Sequence, residues 1–149
     1  MKKCLCALAA CLSLALPVSA QEATEDIPEL AFLEAADVTA EEFLWQARLI
    51  VVFADSPLDP RFADQLSKLE DGAEALLERD VVVITDTDPA VASEWREELR
   101  PRGFMMVLIG KDGVIRLRKP FAWDVREISR SIDKIPLRQQ EVRDRRAAE

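Results

Sequence analysis

R-L-I-V-V-F-A-D-S-P-L-D, residues Arg48 to Asp59, carries the reading of the fold. Leu49–Ala54 is a continuous apolar run rich in β-branched residues, the pattern of a strand buried on both faces. Asp55-Ser56-Pro57 ends it as a turn, and Asp59-Pro60 opens a helix, with aspartate as the N-cap and proline at the first helical position. A central strand delivering a polar loop onto a helix N-terminus is where an α/β domain places its working groups. This loop holds no Cys, no His and no Gly-rich phosphate cradle.

Downstream of Pro60, Phe62, Leu66, Leu69, Ala73 and Leu76 recur at spacings of three and four and predict one long helix with a single buried stripe. Val81–Ile84 is a second buried strand. Asp88-Pro89 repeats the cap device ahead of a helix with Val91, Trp95 and Leu99 on one face. Phe104–Ile109 is a third strand, and Gly110-Lys111-Asp112-Gly113 is a hairpin turn with glycines where positive φ is expected. Val114–Arg118 alternates as a half-exposed edge strand guarded by Arg116 and Arg118. Asp124 caps a last core helix carrying Val125, Ile128, Ile132 and Ile135, which Pro136 closes. Upstream, Leu30–Ala36 is expected as a short helical piece. Thr39 and Glu42 make a capping box for a short helix whose Phe43, Leu44 and Trp45 pack beside the first strand. The order β-α-β-α-β-β-α, with one parallel crossover and one hairpin, is a thioredoxin-like α/β core. It predicts a central mixed four-stranded sheet in the order 2-1-3-4, covered by helices on both faces.

Residues 1–20 read as a Sec signal peptide: Lys2-Lys3, the apolar run Cys4–Leu16, then small residues at Val18-Ser19-Ala20. Bacterial Sec export to the periplasm or beyond is the expected destination. The competing reading is a lipid anchor at Cys11 after Leu8-Ala9-Ala10, but the apolar core runs on through Leu12–Leu16, past the point where a lipobox cysteine closes it. Residues 21–38 are an acidic lead-in expected to be largely disordered, residues 39–136 the domain, and residues 137–149 a charged C-terminal helix or tail. The apolar run of the signal is too short to span a bilayer comfortably, so no membrane span is expected.

The 149 residues include no His and no Tyr, and the three cysteines, Cys4, Cys6 and Cys11, all lie in the signal segment. A chain cut after Ala20 therefore has no thiol, imidazole or phenol. That inventory excludes disulfides, thiolate catalysis, Ser-His triads and Cys/His zinc sites, and no cofactor or metal is expected. Residues 21–95 carry 4 Lys/Arg against 19 Asp/Glu, whereas residues 96–149 carry 14 against 9. An acidic domain repels a phosphate backbone, so nucleic acid is not an expected partner. The basic half is suited to an acidic partner or to the chain's own acidic half.

Four stretches resemble one family: Leu49–Ala54; Asp59-Pro60-Arg61-Phe62 with Gln65-Leu66; Val107–Gly113; and Ile132–Glu141, which carries the pattern I-D-x-x-P-[ML]-R-x-x-E. Together they resemble a bacterial thioredoxin-like family catalogued as a domain of unknown function (domain of unknown function 4174), related to the repeated domains of the equarin group of secreted matrix proteins. The resemblance implies fold and export much more than chemistry. Against working thioredoxins, Pro57-Leu58-Asp59-Pro60 stands where C-x-x-C belongs, and Met105 stands on or beside the place of the cis-proline.

Asp55, Ser56, Asp59 and Arg61 crowd the strand-to-helix loop, with Arg102 expected to face them. The functional reading is a small recognition groove for a peptide or an envelope protein. The structural reading is that Asp55 and Ser56 make the turn, Asp59 caps the helix, and the arginines are solvated or ion-paired. Asp86-Thr87-Asp88 lacks the spacing and glycine of a calcium loop. Arg138 and Glu141 either pin the tail to the domain by charge or dock a partner. The expectation is an exported, non-redox, thioredoxin-like binding or adaptor module of the cell envelope, not an oxidoreductase. The alternative is a carboxylate-based hydrolase using Asp55 and Asp59.

Overall fold

The computed structural model describes residues 29–149, so the expected signal peptide over residues 1–20 and residues 21–28 lie outside the described residues. The apolar run forms strand β2 (Arg48–Phe53), buried along its whole length. Its neighbours are β3 (Val81–Asp86), parallel to it, and β4 (Met105–Ile109), antiparallel, with β5 (Ile115–Lys119) antiparallel to β4. These four reproduce the expected order. A fifth strand, β1 (Phe32–Glu34), adds to the outer edge of β3 in parallel, giving β1-β3-β2-β4-β5. The helix expected over Leu30–Ala36 is thus a strand. The amide of Val83 donates to the carbonyl of Ala31 and that of Ala35 to the carbonyl of Thr85, both at 2.9 Å, while Leu30 and Ala35 are buried. Short Leu/Ala-rich sequence follows the unpaired edge of a buried strand more readily than its own weak propensity. Residues 30–36 therefore belong to the folded unit, which begins before residue 39.

Alternation along β2 builds two cores. Ile50, Val52 and Ala54 face a layer formed by α1 (Pro60–Asp71), α2 (Ala73–Leu77) and α4 (Val125–Asp133), with Phe62, Leu69, Leu76, Ile128 and Ile132 buried against them. Leu49, Val51 and Phe53 face Trp95 and Leu99 of α3 (Glu94–Leu99) and half-buried Phe43. Helices cover both faces of the sheet. The single long helix expected after Pro60 is two helices, because Gly72 breaks it where α4 begins. A Cβ at Gly72 would stand 2.6 Å from Val125 Cγ1.

The second helix also starts later than expected. Asp88 caps only a 3₁₀ turn, Pro89–Val91, accepting from the amide of Ala90 at 2.9 Å. Ala92 then turns left-handed, and the Ser93 hydroxyl caps α3 by accepting from the amide of Arg96 at 3.2 Å. Val91 consequently leaves the buried stripe and is 56% exposed. In the hairpin only Gly113 has positive φ, at 73°. A β-bulge follows: Ile109 pairs with Ile115 and Leu108 with Leu117, so Arg116 is the extra residue. Pro136 opens α5 (Pro136–Ala148) as its first residue; α4 has already ended at Asp133.

Trp45 departs most from expectation. It does not pack beside β2 but is 69% exposed, with a left-handed φ of 63° held by its amide donating to the carbonyl of Lys111 at 2.7 Å. Leu44 beside it is 39% exposed. A left-handed non-glycine residue costs about 1 kcal/mol, which the surrounding structure must offset.

Candidate functional site

The loop between β2 and α1 sits at the carboxyl end of the parallel strands. Asp59 is the cap that the sequence predicts: its Oδ1 accepts from the amide of Arg61 at 2.9 Å. The Arg61 side chain returns to the same carboxylate, Nε to Oδ1 at 3.0 Å and Nη2 to Oδ2 at 2.7 Å, and its guanidinium lies 5.5 Å from the Phe104 ring centroid. The side-chain and backbone bonds from Arg61 hold the Asp59 carboxyl below its ordinary range, and the bond to Asp59 raises Arg61. Ser56 shapes the turn, its Oγ accepting from the amide of Leu58 at 3.2 Å. Asp55 points outward with its side chain 63% exposed. Gly103, at φ 65°, brings the loop before β4 against it, a Cβ there falling 3.8 Å from Asp55 Oδ2. Arg102 is exposed and enters no ion pair among the described residues. The two loops thus meet at Asp55 and Gly103, and Leu58, 89% exposed, projects from the rim they form.

Arg96 is the residue that the sequence reading missed. Its Nε donates to Asp86 Oδ1 at 2.7 Å, and its Nη2 to the carbonyl of Ala54 at 2.6 Å and of Asp86 at 3.2 Å. Its Nη1 stands 3.8 Å from Asp55 Oδ1, and its guanidinium lies 5.6 Å from the Phe53 ring centroid. The Ser93 hydroxyl donates to the other Asp86 oxygen at 2.5 Å. One buried carboxylate and one guanidinium therefore lock the ends of β2 and β3 together directly beneath Asp55. Both Asp86 oxygens are engaged, which leaves Asp86-Thr87-Asp88 without a free inner ligand for a cation. Among the described residues no three acidic, His or Cys groups assemble around a common point. The only sequence signal was Ser93 three residues before Arg96, indistinguishable there from an ordinary cap and a solvated arginine.

A second charged assembly lies at the opposite end of the sheet. Arg48, the first residue of β2, is completely buried. Its Nη2 donates to Glu141 Oε2 at 2.9 Å and its Nη1 to the carbonyl of Arg79 at 2.9 Å. Lys111 bridges Asp80, at 2.8 Å, and Glu141, at 3.3 Å. Arg138, also buried, stands 3.5 Å from Glu141 and 3.8 Å from Asp133, which is itself held by Arg79 at 2.9 Å. Burial works to raise the Glu141 carboxyl, but the Arg48 bond and the charges of Arg48 and Lys111 outweigh it and leave the group below its ordinary range. Glu141 pins α5 to the domain by charge, whereas buried Arg138 makes no hydrogen bond through its Nε or Nη1.

Residues 29–149 contain no cysteine, Asp59 serves as cap and ion-pair partner, and every peptide bond among the described residues is trans. An Asp59 carboxyl stabilised in its ionised form accepts hydrogen bonds and does not hold a proton for donation. The side chains of Asp55, Leu58 and Arg102 stand exposed on the rim.

The fold has distant likenesses among solved structures. Reduced 2-Cys peroxiredoxin of Plasmodium vivax superposes at TM-score 0.57 and 14% identity, over 69% of this chain and 85% of that one. Thioredoxin peroxidase I of Plasmodium yoelii gives 0.54 and 15%, over 69% and 80%. Chloroplastic thioredoxin z gives 0.52 and 19%, over 72% and 95%. At these identities the likeness is one of fold. No curated protein matches the chain. Residues 39–141 match the model of the family described as domain of unknown function DUF4174, and the chain belongs to that family.

Proposed function

We propose that the protein is an exported, non-redox binding or adaptor module of the cell envelope, and that it engages a peptide or protein through the rim at the carboxyl end of its sheet. One observation carries this reading. The Asp59–Arg61 and Asp86–Arg96 pairs consume the inner chargeable groups of the rim, so the groups left facing outward are Asp55, Leu58 and Arg102. Such an arrangement favours recognition over turnover. A hydrolase using Asp55 and Asp59 needs one carboxyl poised to give up a proton, and Asp59 is pulled the other way. Export rests on the charged start, apolar core and small cleavage residues of positions 1–20.

The chain beginning at Gln21 and its Asp55→Lys/Leu58→Asp/Arg102→Glu variant, each immobilised, are exposed to envelope extract. A protein retained by the first and lost by the second supports the rim as the binding surface; equal retention overturns it. Insulin reduction and peroxide consumption are expected to stay at the heat-killed background, and robust turnover in either would refute the non-redox reading. Intact mass of the exported protein is expected to correspond to a start at Gln21, whereas a lipid-modified Cys11 would replace soluble export by anchoring.

A further inference from the structure

We infer that the free edge of β5, together with the groove between β5 and the α4–α5 turn, is a docking site for an extended acidic peptide. The two observations behind it are an unpaired strand edge and a groove in which cations outnumber acids, and neither involves Asp55, Leu58 or Arg102. β5 is the terminal strand of the sheet, so its outward amides and carbonyls have no strand partner. An acidic strand pairing there would receive backbone bonds along one side and cationic side chains along its face.

The bulge supplies the first of those cations. By inserting Arg116 as an extra residue it sets this side chain in the groove that Leu117 and Lys119 line. Lys134, from the end of α4, comes in from the opposite wall, and no carboxylate lines this part of the groove. Past Arg116 and Pro136 the groove continues to Arg143 of α5 and to exposed Trp45, with Asp112 as its one acid. Arg116 is paired with that Asp112. Lys119, Lys134 and Arg143 enter no ion pair among the described residues. Lys119 rests instead 4.3 Å from the Trp123 ring centroid, which forms an apolar floor beside its charge. The chain as a whole carries a net charge of −8, so this groove is a local inversion and not the by-product of a basic protein.

Extended peptide is favoured over other anions by the strand edge. A lipid headgroup or a polyphosphate can neutralise lysines, but neither can satisfy a row of backbone donors and acceptors. The same basic side chains that keep β5 from pairing with another copy of itself would admit a strand bearing carboxylates.

A fluorescein-labelled peptide of alternating Glu and Val is the probe, followed by anisotropy at low ionic strength. Saturable binding is expected, weakened about tenfold or more in Lys119→Glu/Lys134→Glu and much less in Arg126→Glu/Arg130→Glu, the same charge change at two residues that do not line the groove. Alternate N-methylation of the peptide backbone is expected to abolish binding, and bound peptide should slow hydrogen exchange of the β5 amides in the unaltered protein. The last two measurements stand even if a charge-reversed variant folds poorly. Absence of saturable binding, equal loss in both double variants, indifference to N-methylation, or tighter binding of phosphatidylglycerol vesicles or polyphosphate would each overturn the assignment. Because none of these substitutions touches Asp55, Leu58 or Arg102, failure here is distinguishable from failure of the rim.

Discussion

Glu141→Gln isolates one charge in the assembly that holds α5. The substitution keeps the shape of the side chain and one acceptor oxygen, but leaves the guanidinium of a completely buried Arg48 facing a neutral amide. Arg48 keeps the carbonyl of Arg79 and a distant Asp80 at 3.9 Å, while its Nε has no partner in the wild type either. Removing one member of a fully buried ion pair costs about 3–5 kcal/mol. Glu141 is 23% exposed, so water compensates part of the loss and about 2 kcal/mol is expected for Gln. With a urea slope of about 2 kcal/mol per molar, the unfolding midpoint falls by about 1 M at neutral pH.

The pH dependence gives the sharper check. The folded Glu141 carboxyl lies below its ordinary value of 4.5, so its contribution is fully present above that pH and is lost as pH falls through the lower folded value. The gap between wild type and Glu141→Gln should therefore close on acidification. Arg48→Met/Glu141→Leu, which removes both charges, should recover most of the stability lost by the single change. A midpoint difference within error at neutral pH, or one that stays constant on acidification, would refute the claim that this pair holds the helix.

Gly72→Ala should destabilise by about 1–3 kcal/mol in denaturant melts, because a methyl 2.6 Å from Val125 outweighs the better helix propensity of alanine. Arg96→Met should cost about 2–4 kcal/mol in the same measurement, since it strands the buried Asp86 carboxylate and the carbonyl of Ala54. Asp59→Ala should lower the melting temperature by a few degrees and Asp59→Asn, another good cap, should stay near wild type; equal effects of the two would free Asp59 from its capping role.

Period and punctuation made most of the core legible. The unbroken run of β2 and the three-and-four spacing after Pro60 each follow from a face that must be buried, which sequence records directly. Three features depended on contacts outside their own element. β1 forms because β3 has an edge to fill, α1 and α2 separate because Val125 lands on Gly72, and α3 begins at Ser93 because Asp86 holds that hydroxyl. Arg48 was hidden for the same reason: an arginine at a strand start reads as solvent-facing until a helix from the far end of the chain closes over it. At the rim, Asp59 was visible as a cap, while Arg96 showed only Ser93 three residues before it, the mark of an ordinary helix start.

These contrasts explain why membership in a family can fix a fold and stay silent on chemistry. Of the residues through which the chain resembles its family, Gln65 exchanges hydrogen bonds with the backbone of Trp123, at 2.8 and 3.1 Å, and so seats the segment leading into α4. Asp133 binds Arg79, and Glu141 binds Arg48 and Lys111. Asp59 is spent on its helix and on Arg61. Each of these polar groups is committed to an internal partner, and a committed group has little left to offer a ligand. The motif that identifies the chain is thus the set of bonds holding the domain closed. Among the described residues, the polar side chains outside it that enter no ion pair include Arg102 on the rim and Lys119, Lys134 and Arg143 along the β5 groove.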